Sequence, residues 1–111
     1  MDTCTLKRFK LNESGDRGWY IGDFDSAVYR TKDFEVNYQE NTSRVAPTHK
    51  HERVTEIFLV LEGKMKINDE LFGAGDICLL EPGDINKIEY LEPTKTVTIK
   101  TPALPTDKIL L

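Results

Sequence analysis

The sequence predicts an all-β domain, a jelly roll or small barrel, on three observations. No long segment carries apolar side chains at a 3.6-residue period, which disfavours helical and βαβ folds. Apolar and polar residues alternate instead over short runs, the pattern of half-buried strands. Those runs are separated by Gly, Pro, Asn and Asp at close intervals, so many short strands are joined by turns.

Taken in order, residues 5–11 read as a strand and 12–18 as a polar loop. Trp19, Tyr20 and Phe24 then add aromatic bulk suited to capping a barrel end, lining a pocket mouth or packing on a second subunit. Alternation over 34–38 predicts a strand with Phe34, Val36 and Tyr38 on one face. The next strand carries His49 and His51. If Val54 and Thr55 bend the chain back, Glu56 opens a strand over 56–62, and Gly63 turns it into 64–67 with Met65 and Ile67 inward. Asn68-Asp69-Glu70 is a turn signal, and Leu71-Phe72 leads to a second sharp turn over 73–76. The apolar run 77–80 predicts a buried strand closed by Pro82-Gly83-Asp84. Two more strands follow, over 85–91 and 95–101; the second alternates Thr96, Thr98 and Lys100 against Val97 and Ile99. The tail 102–111 ends in Ile109-Leu110-Leu111, apolar enough to dock on the barrel or a partner.

At 111 residues the chain is long enough for one core and too short for two, so a single domain spans 1–111, its barrel over about 33–101. The net charge is −4 and the basic residues are scattered, which argues against a nucleic-acid partner. Apolar runs are short, and residues 1–4 lack the basic-then-apolar pattern of a signal peptide. A soluble, cytoplasmic protein with no membrane partner is expected. Cys4 and Cys78 are too few for a disulfide framework, and Cys78 reads as a small buried hydrophobe.

The chemistry concentrates at His49-Lys50-His51 and Glu56. Side chains at i and i+2 of a strand share a face, so the two imidazoles can meet at one point, with the Glu56 carboxylate brought back by the turn. Two imidazoles and one carboxylate form the facial set that suits Fe(II) and leaves positions open for a substrate; Zn, Mn or Ni could also use it. Arg44 and Arg53 flank this strand and could attract an anion.

From His49 to Gly63 the chain reads HxH, four residues, Glu, six residues, Gly. This run resembles the first conserved motif of the cupin superfamily. The segment from Gly75 to Asn86 is similar to the second motif: Gly75 and Gly83 fall in register, while Pro82 sits one place late, with Glu81 in the usual proline position. Three positions depart from the pattern, with Ser43 for the opening Gly, Asn86 for the last histidine ligand and Tyr90 for the terminal Asn. The resemblance covers about 33–101 and implies a small single-domain cupin, a double-stranded β-helix or jelly-roll barrel, working as a homodimer. It further implies a divalent metal ion (Fe, Mn, Zn or Ni) held by His49, His51, Glu56 and Asn86. A carboxamide oxygen is a harder, weaker donor than imidazole, so Asn86 could ligate the metal, steady a bound water or read a substrate. Phe58, Val60 and Met65 are expected around the site. Glu56, with a hydroxyl from Tyr38 or Tyr90, would serve as the catalytic groups.

Three functions fit. The leading one is a metal-binding cupin, an enzyme acting on a small carboxylate, carbonyl or sugar-derived substrate. The others are a metal-free sugar or sugar-nucleotide isomerase or epimerase, with a histidine as base and a tyrosine as acid, and a non-catalytic module that binds or senses a small ligand.

Overall fold

A computed structural model describes residues 6–111. Cys4 and the first residue of the strand expected over 5–11 lie outside that range; the rest of that segment is irregular and runs into a single 3₁₀ turn, Leu11–Glu13. Thirteen strands follow among the described residues. They are β1 Trp19–Gly22, β2 Tyr29–Arg30, β3 Glu35–Asn41, β4 Arg44–Val45, β5 His49–Lys50, β6 Thr55–Glu62 and β7 Lys64–Ile67, then β8 Glu70–Gly73, β9 Ile77–Leu80, β10 Ile85–Asn86, β11 Ile88–Tyr90, β12 Thr94–Thr101 and β13 Ile109–Leu110. Among the described residues there is no α-helix, so none is long and apolar enough to cross a membrane.

The strands form three sheets. The largest runs β2-β1-β3-β12-β6-β9, the second β4-β11-β7-β8 and the third β10-β5-β13. Phe58, Val60, Cys78 and Leu80 of the large sheet pack against Met65, Ile67, Ile88 and Tyr90 of the second, which closes a jelly roll around one core. Burying a large apolar side chain such as Met65 is worth about 1.5–3 kcal/mol. The β6–β7 hairpin turns at Gly63 with φ +94°, where a Cβ would meet the Pro93 carbonyl oxygen at 2.4 Å. No other residue fits there.

Val36 and Tyr38 share a face of β3 as expected, and two other expectations are corrected. In β3 the inward residues are Glu35 and Asn37, while Val36 and Tyr38 face outward. The strand alternates as read, but its polar face is the inner one. In β9 only Cys78 and Leu80 are buried; Ile77 and Leu79 are 65% and 56% exposed, because one face of this edge strand lies outside the barrel. The N-terminal segment also does more than cap the barrel, since β1 pairs with β3 and β2 extends the same sheet. The tail docks: β13 pairs antiparallel with β5, Leu110 opposite His49.

Candidate metal centre

The site forms where the third sheet meets the inner face of the large one. β5 delivers His49, the first residue after it is His51, and a turn over 52–54 returns the chain into β6 with Glu56 pointing inward. Asn86 on β10 lies opposite His49 in the ladder. The ligand atoms of His49, His51 and Glu56 all lie within 4.8 Å of one another, and all three residues are buried. The imidazole rings meet edge to face, centroids 5.1 Å apart.

The hydrogen bonds around these side chains prepare one atom of each histidine. His49 Nδ1 faces the Pro47 carbonyl at 3.1 Å, and His51 Nδ1 faces the Asp107 carbonyl. A carbonyl only accepts, so each Nδ1 carries a proton, and in the neutral imidazole that leaves the lone pair on Nε2. His51 Nε2 is buried with no hydrogen-bond partner among the described residues and stands 3.6 Å from Glu56 Oε2. An orphaned buried acceptor is costly unless something binds it. Burial pushes the His49 pKa down, which favours the neutral, ligating form. The donor set therefore fits a divalent metal of the imidazole-binding kind.

Asn86, 1% exposed, donates its amide N–H to Glu56 Oε1. It steadies the carboxylate that the histidines face. Lys100 Nζ approaches the other oxygen of Glu56 at 4.0 Å. Burial lowers the Lys100 pKa, although Glu56 and Glu35 pull it up.

The cleft above this centre has a volume of about 730 Å³, within the range of small-molecule sites. Its wall includes His49, Glu56, Phe58 and Tyr90, whereas Val60 and Met65 lie in the core and off the wall. Tyr90 is buried, with the Arg44 guanidinium 5.3 Å from its ring centroid, and burial pushes its hydroxyl pKa up. It therefore stays a protonated donor at neutral pH. Arg44 lines the cleft, whereas Arg53 sits on the 52–54 turn. Tyr38 is not brought to the site. Its hydroxyl donates to Glu40 Oε1 at 2.9 Å on the outer face.

Sequence reasoning missed Asp107. Its carboxylate accepts the backbone N–H groups of Glu52, Arg53 and Val54 at 3.2, 2.8 and 3.0 Å, so the tail clamps the turn between the histidines and Glu56. It also missed Glu35, Asn37, Thr98 and Lys100, which face inward from β3 and β12 and line the cleft. The alternation of β3 held part of that signal, since it sets Glu35 and Asn37 on one face, but alternation alone does not say which face is inward.

Comparison with known proteins settles the fold. No protein-family model matches the chain, and no curated protein matches its sequence. Solved structures do. An uncharacterised conserved protein with a double-stranded β-helix domain from Klebsiella pneumoniae superposes at TM-score 0.68 with 18% identity, over 99% of this chain and 98% of that one. The chain has the cupin fold. KdgF from a Halomonas species matches at TM-score 0.60 and 21% identity, over 68% of this chain and 74% of that one. The DMSP lyase DddQ from Ruegeria pomeroyi matches this cupin-fold chain at TM-score 0.63 and 18% identity, over 93% of this chain and 59% of that one.

Proposed function

We propose that this chain is a metal-dependent enzyme acting on a small molecule held in the cleft above His49, His51 and Glu56. One observation carries the reading: a buried imidazole nitrogen, His51 Nε2, is held by its own ring's other hydrogen bond so that its lone pair faces a carboxylate and finds no partner. A divalent ion there would polarise a substrate oxygen as a Lewis acid. The protein's part is positional. The Pro47 and Asp107 carbonyls orient the two rings, and Asn86 holds Glu56 by one oxygen so that the other is left to face the centre. Phe58 supplies an apolar wall, and the Tyr90 hydroxyl is a donor able to orient or protonate a substrate oxygen. That a solved neighbour is a lyase is compatible with this chemistry but does not choose the reaction.

The test is metal content by elemental mass spectrometry on untagged protein, comparing wild type with the His49→Ala/His51→Ala double variant. We expect about one divalent ion per chain in the wild type and none in the variant. Metal-free wild type, even after anaerobic addition of Fe(II), Mn(II), Zn(II) or Ni(II), would sink the metal reading. The metal-free isomerase reading, with a histidine base and Tyr90 as acid, would then take its place. We propose also that the protein works as a homodimer, joined through the outer face of its large sheet.

A further inference from the structure

The inner face of the large sheet continues past the metal centre into a second polar group with no task in the proposal above. Ladder register places Glu35 of β3, Lys100 of β12 and Glu56 of β6 in one row across three strands; the next row is Asn37, Thr98 and Phe58. Glu35 and Asn37 are 4% and 2% exposed. Glu35 Oε1 and Asn37 Oδ1 are both buried without a hydrogen-bond partner among the described residues. Two orphaned acceptors, two residues apart on one strand and so on the same face, open onto the same cleft as the metal centre.

We propose that Glu35, Asn37 and Lys100 form a recognition subsite for a neutral polyhydroxylated molecule, a polyol or simple sugar, adjoining the reacting centre. This deepens the reading of His49, His51 and Glu56 as that centre and rests on it. The chemistry selects the class by elimination. Two buried acceptors call for donors, which excludes a ligand that offers only oxyanions at that point. Of the two carboxylates that flank Lys100, Glu56 is held by Asn86 at the proposed metal centre, so Glu35 is left already matched in charge by Lys100 and an ammonium donor would meet a like charge with no free carboxylate to offset it. Hydroxyl groups donate without charge, and each also accepts, so a neighbouring hydroxyl oxygen can take the Lys100 N–H. The cleft wall as a whole carries four acidic and four basic side chains, so it gives no net pull on an ion. Trp19, the chain's only tryptophan, lines the same cleft with Lys100 Nζ 4.7 Å from its ring centroid, and it offers an apolar surface for the C–H face of such a molecule.

Trp19 is also the reporter. Its fluorescence, followed in protein as purified, is titrated with D-sorbitol and D-xylose, with hexanediol as a chain of sorbitol's carbon number lacking the inner hydroxyls, and with gluconate and glucosamine as charged counterparts. Saturable changes are expected with sorbitol or xylose and none with hexanediol. Glu35→Gln, which keeps volume and removes the charge, and Asn37→Leu, which removes the acceptor, should each weaken binding about tenfold or more. Asn37→Asp keeps the acceptor and should retain binding, which guards against loss of fold as the cause. Equal binding of hexanediol, tighter binding of gluconate or glucosamine, no saturable response to either neutral ligand, or unchanged affinity in Glu35→Gln and Asn37→Leu would overturn the subsite. Metal content measured on the same samples separates the two readings. Metal without polyol binding sinks only the subsite, and polyol binding lost in Glu35→Gln on protein that takes up no metal sinks only the metal centre.

Discussion

Because the Nδ1 atoms of His49 and His51 are committed to backbone carbonyls, the chemistry of this site turns on what completes it, and that residue is Asn86. Its amide donates to Glu56 Oε1, so it acts on the carboxylate before it acts on any metal. An imidazole at this position would add a softer, stronger ligand on the strand directly opposite His49. Asn86→His is therefore expected to tighten metal binding by about tenfold or more, measured by competition against a chromogenic chelator. Unchanged or weaker affinity in folded protein would mean that position 86 serves only to hold Glu56. The histidine pair and Glu56 were legible in the sequence because strand geometry and a short turn suffice to bring them together. The Asn86–Glu56 bond was not, since it joins β10 to β6 across the barrel and no local pattern encodes it.

Two elements carry the lessons about pattern. The alternation of β3 marks a strand correctly yet says nothing about which face is inward, and here the interior is a polar site rather than an oil-like core. Tyr38 follows the apolar face outward. Tyr38→Phe should accordingly leave metal content and polyol response at wild-type levels and barely move the urea unfolding midpoint, because its only hydroxyl partner, Glu40, is exposed. A loss of metal or ligand binding would place that hydroxyl back in the mechanism. The tail is the other case: its apolar end suggests docking, but nothing in the sequence marks Asp107 as the residue that caps the turn over 52–54. Burial alone would raise the Asp107 pKa, yet the N–H groups of Arg53, Glu52 and Val54 outweigh it and hold the carboxyl below its ordinary range. A depressed carboxyl pKa stabilises the fold above the unfolded-state value near 3.9, and the benefit is lost as pH falls through the folded-state value. Asp107→Asn should thus melt lower than wild type at neutral pH, with the gap narrowing in acid, as followed by thermal denaturation across pH. A gap that does not change with pH would show that the charge of Asp107 plays no part in the clamp.

For the whole molecule, the polar interior has a counterpart on the outside of the same sheet. Cross-strand register aligns Val36, Ile99, Ile57 and Leu79 in one outward row and Tyr38, Val97, Leu59 and Ile77 in the next, bordered by Glu40, Lys95 and Glu62. Side chains on opposite faces of a strand alternate, so a sheet whose inner face carries Glu35, Asn37, Glu56, Thr96 and Thr98 has placed much of its aliphatic content outside. Its most exposed members are Ile77 and Leu79 at the β9 edge, and the dimer proposed above would cover them. In that dimer a second copy would match this face: two sheets of identical twist can pack face to face at about −30° with a separation near 10 Å, and such a contact would be self-complementary about a two-fold axis. The charged border would then rim the contact, with Lys95 and Glu62 already paired at 3.3 Å within one chain. Light scattering on gel-filtered protein should therefore give twice the chain mass of 12.7 kDa for wild type, and Leu79→Lys, which sets a charge in the middle of the patch, should give the monomer. Since Leu79 points away from the cleft, the monomeric variant should keep its metal. Wild-type protein that runs as a monomer even when concentrated would leave the face without the partner argued for it, while a variant that loses metal together with its partner would tie the site to the assembly.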